Sequence, residues 1–118
     1  MNGKISIPAH VSLEYWTESG LSGGTDQGMP VDPDHTNELV IAVRSDDGDG
    51  DPRASVLAGT PQIHLAGTSR ALEALGRYLI ALARLQSHDP DLHEHFEDVQ
   101  NDDGGTVHLI VRRLKDEP

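Results

Sequence analysis

The chain contains no cysteine. Disulfides, thiolate metal sites and a cysteine nucleophile are therefore excluded, and the absence fits a reducing compartment. Aromatic side chains are scarce: Tyr15, Trp16, Tyr78 and Phe96 are all there are. The core is accordingly expected to be aliphatic, with Trp16 closing one of its edges, since tryptophan is highly buried on average. No apolar run approaches the ~20 residues of a membrane span. The opening MNGKISIPAHV lacks a basic segment followed by an apolar one, so a signal peptide is not expected and a cytoplasmic location is. Positive charge is also short, with nine Lys and Arg against 20 Asp and Glu, a formal net charge of −11. Direct binding to nucleic acid or an anionic membrane needs basic patches, so neither is expected. What remains is charge for solubility, or for steering a basic partner.

What is present fits a single domain over 1–118. Residues 4–16 alternate as an irregular strand or two: Ile5 and Ile7, then Pro8, then Val11, Leu13 and Tyr15. A loop rich in Gly, Pro and Asp follows over about 17–37, and a second, acidic loop over about 45–53. Between them ELVIAVR reads as a central strand. The apolar stretch 54–58 is too short to assign alone, and QIHLA reads as another strand. Thr68 or Ser69 can cap a helix over about 69–86, with an apolar face on Leu72, Leu75, Leu79 and Leu82. Arg70, Arg77 and Arg84 fall every seven residues and are expected to form a solvated stripe. Gly76 suggests close approach of helix and sheet, and Ser87–Pro90 stops the helix. Two further alternating segments, Leu92–Phe96 and Val107–Val111, flank an Asn/Asp/Gly turn as a hairpin. The fold class is thus α+β: a mostly antiparallel sheet of about four to five strands with one long helix on one face.

Histidines are the first chemical candidates. Alternation places His64, His93, His95 and His108 on the side of their strands opposite the apolar residues. Imidazole is a common metal ligand, so this face is an alternative metal site, although it lacks the fixed spacing of a zinc motif. Otherwise it is a half-solvated face where histidine is tolerated. Asp47, Asp49 and Asp51 start like a calcium loop, but Pro52 stands where the glycine is required and Ala58 where the bidentate Glu belongs. An acidic turn is the better reading. No nucleophile elbow, phosphate loop, H-E-x-x-H or dinucleotide fingerprint occurs, so catalysis and cofactors are not expected.

Residues 62–112 resemble the immunity protein 32 family of bacterial polymorphic toxin systems. The resemblance lies in an apolar strand ending at Gly67, the helix with Leu72, Leu75, Leu79 and Leu82, the His93-x-His95 pair, a Gly/Asp turn and the closing strand VHLIV. It implies a small cytoplasmic antidote that binds a cognate toxin without catalysis. An acidic antidote suits a basic toxin, such as a nuclease that holds phosphates. Charge density then nominates Asp46, Asp47, Asp49 and Asp51, with Asp98, Asp102 and Asp103, as partner-binding residues. Two other classes remain open: a metal-binding protein using the histidines, and an acidic mimic of nucleic acid.

Overall fold

The computed structural model describes residues 3–17, 27–45, 60–86 and 92–114. Residues 46–53 of the acidic loop, with Asp46, Asp47, Asp49 and Asp51, the stretch 54–58, and the expected helix stop at Ser87–Pro90 lie outside the described residues. Six strands, one helix and one 3-10 turn are described. They are β1 (Tyr15–Thr17), β2 (Gln27–Pro30), the turn Thr36–Glu38, β3 (Leu39–Ser45), β4 (Pro61–Gly67), α1 (Ser69–Arg84), β5 (His93–Gln100) and β6 (Thr106–Arg112). The class is α+β. β1 and β2 form a two-stranded sheet, and the others a sheet of order β4-β3-β5-β6.

The larger sheet is mixed, not mostly antiparallel. β3–β4 and β5–β6 are antiparallel hairpins, but β3 meets β5 in parallel through the single pair Val40↔Gln100. The chain leaves edge strand β4, crosses the sheet as α1 and returns beside β3, which lets the strands run in parallel. With Gln100 at the end of β5 and Val40 at the start of β3, the two hairpins extend in opposite directions from their contact.

Thr68 is the N-cap, its hydroxyl accepting from Ala71 N at 3.2 Å. Glu38 reinforces this end, accepting from the Thr68 hydroxyl at 2.5 Å and from the Arg70 guanidinium. These bonds, that of Arg70 first, lower the Glu38 carboxyl to about 2. At the other end, Arg113 donates to the carbonyls of Leu82 and Leu85 at 3.0 and 2.6 Å, satisfying acceptors that a helix terminus leaves open. α1 has 16 residues and stops at Arg84, sooner than the sequence suggests.

The core comprises Leu39, Ala71, Leu75, Tyr78, Leu82, Leu85, Leu92, Phe96 and Val99, with Val107, Leu109 and Val111 packed against it. It is mainly aliphatic, but Tyr78 and Phe96 meet edge to face within it, centroids 5.3 Å apart. The helix buries Ala71, Ala74, Leu75, Tyr78, Ala81 and Leu82, while Leu72 and Leu79 are exposed. Small alanines bring the helix backbone close to its neighbours, so tertiary packing selects this stripe over the overlapping leucine one.

Several local expectations are corrected. Ile5 and Ile7 are exposed and belong to no strand, and β2 lies inside the stretch read as loop. Gly76 has open space around it. The close approach is at Gly67, where a Cβ would lie 2.8 Å from a Leu39 methyl. Trp16 is 62% exposed, because Tyr15 takes the inward position on β1 and donates its hydroxyl to the Ala81 carbonyl at 2.7 Å. Ile63 and Leu65 are 76% and 50% exposed, since the sheet face they share with Val43 extends past the helix.

Candidate functional site

The histidine face is built by the β5–β6 register. Phe96 pairs with Leu109 on the helix side, which turns His95, Ile110 and His108 to the other side. The register is irregular between Phe96 and Val99, just after His95. His95 Nδ1 lies 3.0 Å from His108 Nε2, the His93 and His95 rings are 5.0 Å apart, and Glu97 reaches within 3.7 Å of His108. His64 is not part of this group. It stands opposite Ala42 on β4, and the hairpin offset places it roughly 20 Å or more from His95 at ~3.3 Å per residue. Its ring bonds Gln62 at 3.0 Å. Among the described residues no three His, Cys, Asp or Glu side chains converge to hold a metal ion.

The described aspartates of the sequence-derived set each have a donor. Asp98 accepts from the Thr36 hydroxyl at 2.6 Å, and Asp102 pairs with Arg44 at 3.5 Å. Asp103 accepts from Gly105 N at 3.2 Å and closes its own turn with Asn101. All three are exposed.

A different acidic group converges where α1 faces the chain before β1 and after β2. Ser12, Glu14, Val31, Asp32, Pro33, Asp34, Ala74, Arg77, Tyr78 and Ala81 line a cleft of about 140 Å³. The N-terminal segment is held there by Val31 N donating to the Glu14 carbonyl at 3.0 Å, and by the Tyr15–Ala81 bond. Glu94, from β5, lies near Asp32 and His93. Burial foremost, then the neighbouring Asp32 carboxylate, push the Glu94 carboxyl up to about 7, against a smaller opposite effect of His93. Tyr78 is only 3% exposed, and its burial, with Glu94 and Asp32 nearby, pushes its hydroxyl up as well. The Tyr78 hydroxyl and Arg77 Nε are buried without a hydrogen-bond partner, a state that few native polar groups occupy.

The helix arginines therefore do not form one solvated stripe: Arg70 is paired and Arg77 lines the cleft. None of Glu14, Asp32, Asp34, Tyr78, Arg77 or Glu94 was singled out from the sequence as a site residue. The one available hint was Glu94, a charged residue between Leu92 and Phe96 on the apolar side of its strand. Chemically, the cleft offers crowded negative charge beside two buried polar groups without hydrogen-bond partners.

No family model, no curated protein and no solved structure matches this chain.

Proposed function

We propose that this protein is a non-catalytic antidote of the immunity-protein kind, which neutralises a cognate basic toxin by binding it in the cytoplasm. The observation that carries this reading is the cleft, where carboxylates crowd around polar groups left without partners. Buried, incompletely satisfied pockets of this sort suit the anchor residues of a protein partner. Trp16 supports it as an exposed aromatic side chain of the kind that anchors protein partners. Asp98, Asp102 and Asp103, with Asp46, Asp47, Asp49 and Asp51, then serve as rim charges that speed encounter more than they hold the complex. The resemblance over 62–112 and the net charge of −11 agree with it.

The test is co-expression with the product of an adjacent toxin-like reading frame. Growth should be restored, and the purified pair should bind with an affinity that falls as salt rises. Absence of both rescue and binding overturns the reading. Charge reversal at Asp32 and Asp34 should weaken the complex by at least about 100-fold, the scale of a lost interface anchor.

A second reading, a metal-binding protein, rests on the His95–His108 contact. Elemental analysis of protein purified without a His-tag decides it, since absence of stoichiometric zinc or nickel ends it. The nucleic-acid mimic needs carboxylates in line at phosphate spacing, whereas the turn aspartates lean on separate donors and the cleft carboxylates crowd together.

A further inference from the structure

Strand β4 stands at the end of the sheet order β4-β3-β5-β6, so one side of its backbone has no neighbouring strand among the described residues. Such edges are ordinarily guarded by charged side chains, by proline or by a covering element, because their open N–H and C=O groups pair with other chains. β4 reads PQIHLAG: it carries no charged residue, and Pro61 stands only at its first position. The far side of the same hairpin is met differently, with Arg44 of β3 pairing Asp102 of the turn. One face of the hairpin is also apolar. Val43 opposes Ile63 there and Ile41 opposes Leu65. Val43, Ile63 and Leu65 are all exposed, and the exposed Leu72 of α1 adjoins this face at Gly67.

We propose that β4 is a self-association edge: two copies of this chain pair their β4 strands antiparallel about a two-fold axis at His64, joining their sheets into one. Two observations select a second copy as the occupant. The strand is complementary to itself, as a two-fold interface requires. With His64 opposite itself, Ile63 faces Leu65 of the second copy and Gln62 faces Ala66, so the whole strand from Pro61 to Gly67 is used. The two apolar patches then merge on one face, and Leu72 of each copy is carried toward Pro61 and Ile63 of the other. Charge makes the same selection. Two molecules of net charge −11 repel, and β4 is a place where they meet without opposing carboxylates. Area sets the strength. Seven residues at ~3.3 Å each, in a sheet layer ~10 Å thick, give a contact strip of roughly 230 Å², well short of the ~800 Å² per partner of a standard interface. The dimer is therefore weak and reversible.

Dimerisation at β4 does not depend on the antidote reading. Sedimentation equilibrium of the full chain should show a 12.8 kDa species at about 5 µM and mostly dimer at about 500 µM, the range of a weak association. Raising NaCl from about 50 to about 500 mM should tighten the dimer at least twofold, because screening relieves the repulsion between acidic copies. Ile63→Lys, at an exposed position, should weaken dimerisation at least tenfold. Ile110→Lys, the same change in the opposite edge strand β6, should leave it within about twofold. Cysteine reads the register, since the chain has none of its own. His64→Cys sets two thiols face to face across the axis, where Cα atoms ~4.5–5.5 Å apart lie within disulfide reach. Oxidation with diamide should link this variant into a dimer. In Ala66→Cys the two thiols stand about 13 Å apart along the strands and should not link. All four variants should keep the circular dichroism of the native chain. A single monomeric species up to about 500 µM, equal effects of the two lysine variants, or linkage at Ala66→Cys without linkage at His64→Cys overturns the proposal. Slow amide exchange along β4 in such a monomer would assign the edge to another segment of the same chain.

Discussion

The carboxylates of the turn and those of the cleft are the same chemical groups with different neighbours. Asp98, Asp102 and Asp103 are exposed, and each accepts from a hydroxyl, a guanidinium or a backbone amide nearby. Glu14, Asp32 and Asp34, exposed as well, line one cleft with the buried Tyr78, and the half-buried Glu94 lies near Asp32. The first set is locally satisfied and screened by water. In the second, burial and the nearby Asp32 charge push the Glu94 carboxyl up to about 7. Density of acidic residues along the chain therefore identifies charge, while its environment decides which charges are poised for a partner.

The contrast can be broken most severely through the support of the cleft. The Tyr78 ring rests edge-on against Phe96. Phe96→Ala should cost about 3–5 kcal/mol by chemical denaturation, the usual range for a buried phenylalanine. A loss under about 1 kcal/mol would show that the two rings are not packed as described. Tyr78→Phe sharpens the comparison in the other direction. It removes a buried hydroxyl that has no partner, so the unliganded protein should gain about 1 kcal/mol. A clear loss of stability would mean that this hydroxyl is bonded in solution. Smallest of all should be Asp102→Asn and Asp103→Asn, each within about 0.5 kcal/mol, because exposed pairs and surface substitutions contribute little. Larger effects there would move weight back to the turn.

Much of the scaffold was legible in the sequence. β3, β4, α1 and the β5–β6 hairpin follow from apolar periodicity, and Thr68 was one of two N-caps considered. The parallel meeting of β3 and β5 was not legible, because alternation specifies the face of a strand and not its neighbour. The helix core was half legible. Leu75 and Leu82 belong to both candidate stripes, and only packing decides between Leu72 with Leu79 and the alanines with Tyr78. Gly67 and Gly76 looked alike in sequence, yet only Gly67 is pressed against another element. The grouping of the histidines followed from alternation for His93, His95 and His108. His64 shares their facing but not their place, because strand offset is invisible to periodicity.

The cleft was the least legible part. Its members come from the chain before β1, the segment after β2, α1 and β5, and no local pattern connects them. Arg77 and Tyr78 read as ordinary helix positions, one polar and one apolar. Asp32 and Asp34 sat in a stretch read as loop, where aspartate is the usual turn former. Only the fold brings these groups together.

The most direct measurement is a 13C NMR titration of the Glu94 side-chain carboxyl in the folded protein, paired with stability from pH 5 to 8 for the native chain and Glu94→Gln. The Glu94 midpoint should fall at about 7 against an ordinary 4.5. Between those values the folded state holds a proton that the unfolded chain has released. The stability contributed by this group is thus complete below about 4.5 and lost as pH rises through about 7. The native chain should therefore lose more stability than Glu94→Gln across that range. A Glu94 midpoint near 4.5, with the two stability profiles parallel, would contradict the account.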